Sequence, residues 1–410
     1  MRLHRSLIVL TLCLLCAPQL HAQTTQRLSL AEAIRLAQAR SPLATGAEAR
    51  ALGASARLRG AGALPNPTLQ LSPHVGSDTG GLDEDILLTQ TVELGDKRRQ
   101  RIYAARAERD AAFAERTATG QDLAFNAQSA YYQALLADAE YQQAADALKT
   151  AQAFAQAAET QFQAGDVARS NVVRSGIEVA RAEQTLAAAE TERTNRYATL
   201  RSLTGLPPDT TLTLTDSLTF TPASYNLADL QAQALRNRPD LRAAQWLRDA
   251  REAALHGARA QSQPDLVLEA RHRTLNPADT GSSLRFGLLF PIFDFGRNRA
   301  DERAAQAALQ EQEATLRENL RTVQLDVETA FNSLQQAQRA VESFQAGRLQ
   351  RAKELLDMAQ TGYDRGATSY LELLDAQQVY RSEQVEYARA LANYNIAKAT
   401  LQRAVGGTLP

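Results

Sequence analysis

Glu372 and Asp375 stand three residues apart just after a glycine-marked turn in TGYDRGATSYLELLDAQQ, residues 361–378. On a helix that spacing puts both carboxylates on one face, and rings of carboxylates around an axis favour cations and repel anions. A second reading of Glu372 stands beside the first. Ser369-Tyr370-Leu371-Glu372 has the pattern of a capping box, in which Ser369 caps the helix and Glu372 bonds back to it. Catalytic chemistry finds no foothold. Beyond the first 22 residues the histidines are His74, His256 and His272, with no metal-ligand spacing between them. There is no phosphate loop and no nucleophile motif, so the expectation is no enzyme, no cofactor and no coordinated metal.

The ends and the composition narrow the class. Arg2 and Arg5, the apolar run Leu7 to Cys16 and Leu20-His21-Ala22 read as a signal peptide over residues 1–22. Its apolar core is too short for a membrane anchor. Both cysteines, Cys13 and Cys16, lie inside it, which excludes disulfides and thiol chemistry from the mature chain. Leu15 stands where a lipoprotein signal wants a small residue, which argues against acylation of Cys16. The chain holds 45 basic and 46 acidic residues, and loss of Arg2 and Arg5 takes the formal charge from −1 to −3. No basic field suggests nucleic acid. After the signal no run of 18 apolar residues exists, so any membrane crossing must be by a closed β-barrel.

The chain is a tandem duplication, 23–215 and 216–410. Leu30-Ala31-Glu32 is echoed by Leu227-Ala228-Asp229, Pro42 by Pro239 and Pro67 by Pro264, at an offset of 197; Gly95, Gly165 and Gly205 are echoed by Gly296, Gly366 and Gly406 at 201. Each half reads helix, hairpin, long helix, turn, helix. The hairpins are expected at about 67–94 and 264–293, and the helical hairpins at about 96–205 and 296–406. From Leu123 through Ala127, Ala130, Ala134 and on to Phe162, small or apolar residues recur in alternating steps of four and three, a coiled-coil seam. A helix from Asp96 to Phe162 would be roughly 100 Å long at 1.5 Å per residue. Val327, Phe331, Leu334, Ala337, Val341 and Phe344 form a looser second seam.

In the second hairpin Leu284, Phe286, Leu288 and Phe290 alternate with Arg285, Gly287 and Leu289, and Leu266, Leu268 and Ala270 with Val267, Glu269 and Arg271. One apolar and one polar face suits a membrane barrel. Four strands per chain cannot close, since such a barrel needs at least eight. Three copies give twelve and can leave a passage. The fold class is thus mainly α with a β-barrel segment, in a homotrimer. A structural coiled-coil envelope protein is the rival from another class.

The duplicated plan, Phe290-Pro291-Ile292-Phe293-Asp294-Phe295-Gly296 at the strand-to-helix junction, and the paired Gly165 and Gly366 turns resemble the TolC-type outer-membrane efflux channels over essentially the whole mature chain. Val92-Glu93-Leu94-Gly95-Asp96-Lys97-Arg98 is similar to the Glu-Leu-Gly-Gly-Lys-Arg string of the CzcC-like heavy-metal branch, with Asp96 in place of the second glycine. The resemblance implies a trimeric barrel in the Gram-negative outer membrane and a helical tunnel in the periplasm. It also implies a periplasmic adaptor and an inner-membrane resistance-nodulation-division transporter as partners. Divalent heavy-metal cations are the implied cargo, with drug efflux or type I protein secretion as alternatives.

The turns would then be the periplasmic tips. Gly165 and Gly366 supply left-handed backbone, and Ser170 and Ser369 are expected to cap the returning helices. The adaptor would dock on Gly165–Asn171 and Gly366–Leu373. By the resemblance Glu372 and Asp375 line the constriction and Tyr363 holds the closed state by bonding to the neighbouring hairpin. The family's arginine partner is Thr368 here and its acidic acceptor is Asn171. Arg174, which matches Asp375 at the 201 offset, is a candidate ionic partner from the other hairpin. Lys97, Arg98, Arg99 and Arg101, with Arg297 and Arg299 in the second half, read either as contacts to outer-membrane lipid phosphates or as a solvated face.

Overall fold

The computed structural model describes residues 25–75, 82–273 and 281–409. The expected signal peptide, with Cys13 and Cys16, lies outside the described residues. The first repeat runs β1 (Thr25–Leu28), α1 (Leu30–Arg40), α2 (Pro42–Ala61), β2 (Thr68–Val75), β3 (Leu82–Glu93), α3 (Lys97–Ala164), α4 (Arg169–Thr204) and β4 (Thr211–Leu214). The second runs α5 (Leu227–Asn237), α6 (Pro239–Ala260), β5 (Asp265–Arg273), β6 (Gly281–Leu289), α7 (Arg297–Ser343), a π-helical turn at Phe344–Arg348, α8 (Leu349–Asp364) and α9 (Tyr370–Ala404). Among the described residues no helix is long and apolar enough to cross a membrane.

At 68 residues, α3 is about 100 Å long. Its seam is buried at Leu123, Ala127, Ala130, Ala134, Ala137 and Ala144, then loosens until Phe162 is exposed. Alanine at these positions lets α4 and α9 approach closely. Two larger cores brace the middle of the molecule. One gathers Leu230, Leu241, Val323, Val327, Leu334, Tyr394 and Leu401; the other gathers Leu28, Leu36, Tyr131, Leu200 and Leu212.

The second core contains an element the sequence does not announce. β1 pairs in parallel with β4, Leu28 opposite Leu214. The Tyr131 hydroxyl lies 2.7 Å from Asp216 Oδ2 and 2.9 Å from the Leu28 carbonyl, and Leu30 N donates to the same carboxylate oxygen at 2.7 Å. Strands of four residues are too short for alternation to show.

The antiparallel sheet β2-β3-β5-β6 is the part that bears on function. Leu69 pairs with Leu88, and Leu71 with Ile86. Val92 pairs with Leu266, which pairs with Leu288, while Leu268 pairs with Phe286 and Ala270 with Leu284. Because side chains alternate across a strand, these residues share one face. The other face carries Gln70, Ser72, Thr89, Thr91, Glu269 and Arg285, with an ion pair of 3.6 Å between the last two. The apolar face is bare: Leu284 is 76% exposed and Phe286 74%. Within one chain the outer edges of β2 and β6 carry no partner strand among the described residues.

Candidate functional site

Both helical hairpins reverse on a left-handed glycine far from the sheet, at the other end of α3. Gly165 has φ 84° and Gly366 φ 71°. In each, the glycine N–H and the next N–H bond back into the preceding helix, Gly165 to Phe162 and Asp166 to Gln161, Gly366 to Tyr363 and Ala367 to Gly362. This pairing satisfies carbonyls that a helix end otherwise leaves open. Gly362 is required by proximity, since a Cβ there would lie 1.9 Å from Thr368 Oγ1.

The returning helices start differently. Ser369 caps α9 in a complete capping box, with Glu372 N donating to its Oγ at 3.3 Å and Ser369 N to Glu372 Oε2 at 3.0 Å. Ser170 does not cap α4. That position falls to Ala168, which makes no side-chain bond, and Ser170 lies inside the helix and exposed. The chain enters α4 two residues earlier than a serine cap would require. Ser369→Ala will therefore cost about 1 kcal/mol at the start of α9, while Ser170→Ala costs far less. Amide hydrogen exchange across residues 370–374 and 169–174 reads the difference.

Glu372 and Asp375 are both exposed and border one groove with Leu355, Met358, Thr368 and Leu371. Leu373, expected on a docking surface, is instead fully buried between Ala359 and Ala376 with Phe154, Leu356 and Tyr363 around it. As the fourth residue of α9 it points at α8, so it holds the tip together. Asp375 also borders the cleft between the two hairpins, together with Arg174, Glu178 and Arg381. Arg174 and Asp375 share this cleft, with no ion pair between them among the described residues, and Arg174 is exposed. Burial lowers the Arg381 pKa, opposed by Glu178. Burial likewise raises that of Tyr370, with Tyr363 and Glu178 adding to the shift and Arg174 opposing it.

Within one chain the link from Tyr363 to the other hairpin goes to Gln161, whose Oε1 accepts from the hydroxyl at 3.4 Å. Asn171 contributes only a backbone bond, to Ala168. Nothing in the sequence marked Gln161, one glutamine among many on α3. Phe154, whose ring meets Tyr370 edge-on at 5.8 Å, lay one residue off the expected seam.

The basic cluster at the sheet end divides. Lys97 is 6% exposed, with Nζ 2.8 Å from both Asp265 Oδ1 and the Gln263 carbonyl. Arg101 grips Glu93 through two nitrogens and donates to the Ala61 and Ala63 carbonyls. Arg98 reaches the Gly62 carbonyl and Arg99 pairs with Asp96. Lys97 is an internal fastener, then, facing neither lipid nor solvent, and Arg101 ties the same joint with its side chain 39% exposed. The Glu93 to Arg98 string is the joint between strand and helix. Among the described residues no group of three or more His, Cys, Asp or Glu could hold a metal ion.

The family described as outer membrane efflux protein matches residues 33–206 and 230–407. The chain is 24% identical over 315 residues, 77% of its length and 75% of the other, to the cobalt-zinc-cadmium resistance protein CzcC of Cupriavidus metallidurans. It is 27% identical over 268 residues to the pyoverdine export outer membrane protein OpmQ of Pseudomonas putida, covering 63% of this chain and 56% of that one. In fold it is similar to the outer membrane protein VceC of Vibrio cholerae, with a TM-score of 0.77 at 22% identity over 92% of this chain and 96% of that one.

Proposed function

Because the chain belongs to the outer membrane efflux protein family, a family of channels and not of enzymes, we propose that three copies form the outer-membrane duct of a tripartite pump. The protein lies in the outer membrane of the Gram-negative envelope with its helices in the periplasm. One observation carries the trimer: a four-stranded sheet with two unpaired edges and one bare apolar face. In lipid every backbone N–H and C=O must be paired, so β6 of one copy must meet β2 of the next. Three copies supply twelve strands, enough for a passage. Phe290, Ile292, Phe293 and Phe295, all exposed in the single chain, fall at the lower rim of such a barrel, where lipid and the next copy would cover them.

At the tips the turns around Gly165 and Gly366 are the docking points for a periplasmic adaptor, which links the duct to an inner-membrane resistance-nodulation-division transporter. Glu372 and Asp375 form the cation-favouring constriction, and Tyr363, with Arg174 and Asn171 on the other hairpin, resists opening. Divalent heavy-metal cations are the proposed cargo, on the likeness to CzcC and the exposed carboxylates at the tip. The likeness to a pyoverdine exporter supports a second reading, export of organic molecules. Growth of a deletion strain on cobalt, zinc or cadmium, set against its siderophore and drug export, separates the two. A folded monomer in mild detergent, by native mass measurement, would sink the trimer.

The constriction has its own test in planar bilayers. Asp375→Asn with Glu372→Gln will reduce the cation-to-anion permeability ratio about fivefold, since a unit charge a few ångströms from an ion in water is worth about 1 kcal/mol. An unchanged reversal potential would leave Glu372 as a helix cap and Asp375 as a surface charge.

A further inference from the structure

The chain contains one contact between its repeats that the second repeat is shaped to make again. β3 of the first repeat pairs with β5 of the second, Val92 opposite Leu266 and Gln90 opposite Leu268. The pairing with β2 stops at Thr89, so Gln90–Glu93 are held as strand by β5 alone. In the second repeat β6 ends at Leu289, and residues 290–293 form no strand. Within one chain, among the described residues, no strand lies beside them.

Matching the two hairpins sets the correspondence. Thr68 faces Thr89, and Asp265 faces Leu289. Thr68 and Asp265 are 197 apart, while Thr89 and Leu289 are 200 apart. Gln90 and Val92 therefore correspond to Phe290 and Ile292, and Leu268 and Leu266 to Leu71 and Leu69. All four counterparts are exposed in the single chain. At Gly95 and Gly296 the spacing is 201, so the second junction holds one extra residue. Phe295, beside Gly296, takes φ 51°, the one positive φ of a residue other than glycine among the described residues. A left-handed residue of this kind lets a strand absorb an inserted position.

The joint beside the strands is duplicated too. A Cβ on Gly95 would lie 1.4 Å from Gln263 Oε1, and one on Gly257 would lie 3.6 Å from the Gln100 Cβ. The counterparts Gly296 and Gly60 would meet nothing within 4 Å. Asn66 stands at the place of Gln263, and Asp301 at that of Gln100. The chemistry changes at one pair: Lys97 corresponds to Asn298 and Asp265 to Thr68.

We infer that β6 of one copy seats on β2 of the next with Ile292 opposite Leu69 and Phe290 opposite Leu71, and that Asn298 meets Thr68 where Lys97 meets Asp265 inside the chain. This rests on the trimer proposed above and adds which residues meet. The register keeps the apolar faces together. Leu69 and Leu71 lie opposite Leu88 and Ile86, and Phe290 and Ile292 continue the alternation of Leu284, Phe286 and Leu288. A slip of one residue would turn one strand's side chains to the wrong face. The joint within the chain is closed by a buried charge pair, the joint between copies by a neutral amide and a hydroxyl. Copies can then meet without stripping water from an unpaired ion.

Paired cysteines in full-length chains carrying C13A and C16A test the register, with a thiol cross-linker two carbons long. L69C with I292C will give covalent dimers and trimers about fivefold more than L69C with F293C or with F290C, since directly opposed Cβ atoms lie about 4.5–5.5 Å apart. A trimer that cross-links better at a slipped pair, or at none of the three, overturns the register and leaves the trimer standing. A folded monomer in mild detergent overturns the trimer and the register with it. The neutral joint has its own readout. Asn298→Lys and Thr68→Asp will each lower the temperature at which trimers dissociate, and the two together will recover it. Losses that simply add would show that these residues do not meet.

Discussion

Replacing Lys97 by Met will strip the proposed outer-membrane trimer of much of its heat stability and sharply reduce the amount assembled. Lys97 opens α3 in the first repeat, and Asp265 opens β5 in the second. Their 2.8 Å pair is almost out of solvent on the lysine side and 21% exposed on the other. Methionine fits the space but leaves the Asp265 carboxylate with only the Leu94 N–H, at 3.3 Å. Removing one partner of a buried pair costs about 3–5 kcal/mol, and the partial exposure of Asp265 brings this to about 2–4. That is a large share of a typical net stability of about 5–15 kcal/mol. Adding Asp265→Asn will restore part of the loss by removing the orphaned charge. Thermal unfolding followed by helical circular dichroism, with trimer mobility in gels, measures both. A Lys97→Met trimer that melts with the parent would show the pair to be idle.

Replacing Gly366 by Val will abolish export while the proposed trimers stay in the membrane. At φ 71° an L residue pays about 1–2 kcal/mol, more when branched at Cβ. The chain escapes that cost by giving up the bonds from Gly366 to Tyr363 and from Ala367 to Gly362. The turn changes shape, and with it the proposed adaptor contact. The sheet is a helix length of about 100 Å away and does not feel the change. Asn tolerates this backbone better than other residues, so Gly366→Asn will keep most of the activity. Normal resistance or export in Gly366→Val would remove the turn from the docking surface.

The features that repeat were legible in the sequence. Leu284, Phe286 and Leu288 alternate, and they line one face of the sheet; Leu123 to Ala144 keep a three-four rhythm, and they are the buried stripe of α3. The turn glycines were legible because left-handed backbone leaves a chemical trace. Contacts that depend on the meeting of distant segments left none. Tyr363 finds Gln161 across the hairpins, and Lys97 finds Asp265 across the repeats. A basic run at a helix start looks the same whether it points outward or inward. Gly347 did leave a signal, a lone glycine inside a helical pattern, but without its φ it reads as a tolerated weak point. Leu373 was misplaced because position in a turn does not say which side of the following helix faces in.

The strap formed by β1 and β4 bears on the order in which the chain is put together. Thr25–Leu28 pair with Thr211–Leu214, and the bond from Leu30 N to Asp216 spans 186 residues. Loop closure of this kind grows costlier only slowly, by about 0.6 kcal/mol for each doubling of length, so distance alone does not forbid it. Timing does. A chain that emerges from its beginning cannot seat β1 until residue 214 has arrived and α3 and α4 lie side by side to present Tyr131 and Leu200. The strap therefore closes only after the first hairpin is built, and its closure depends on that hairpin being complete.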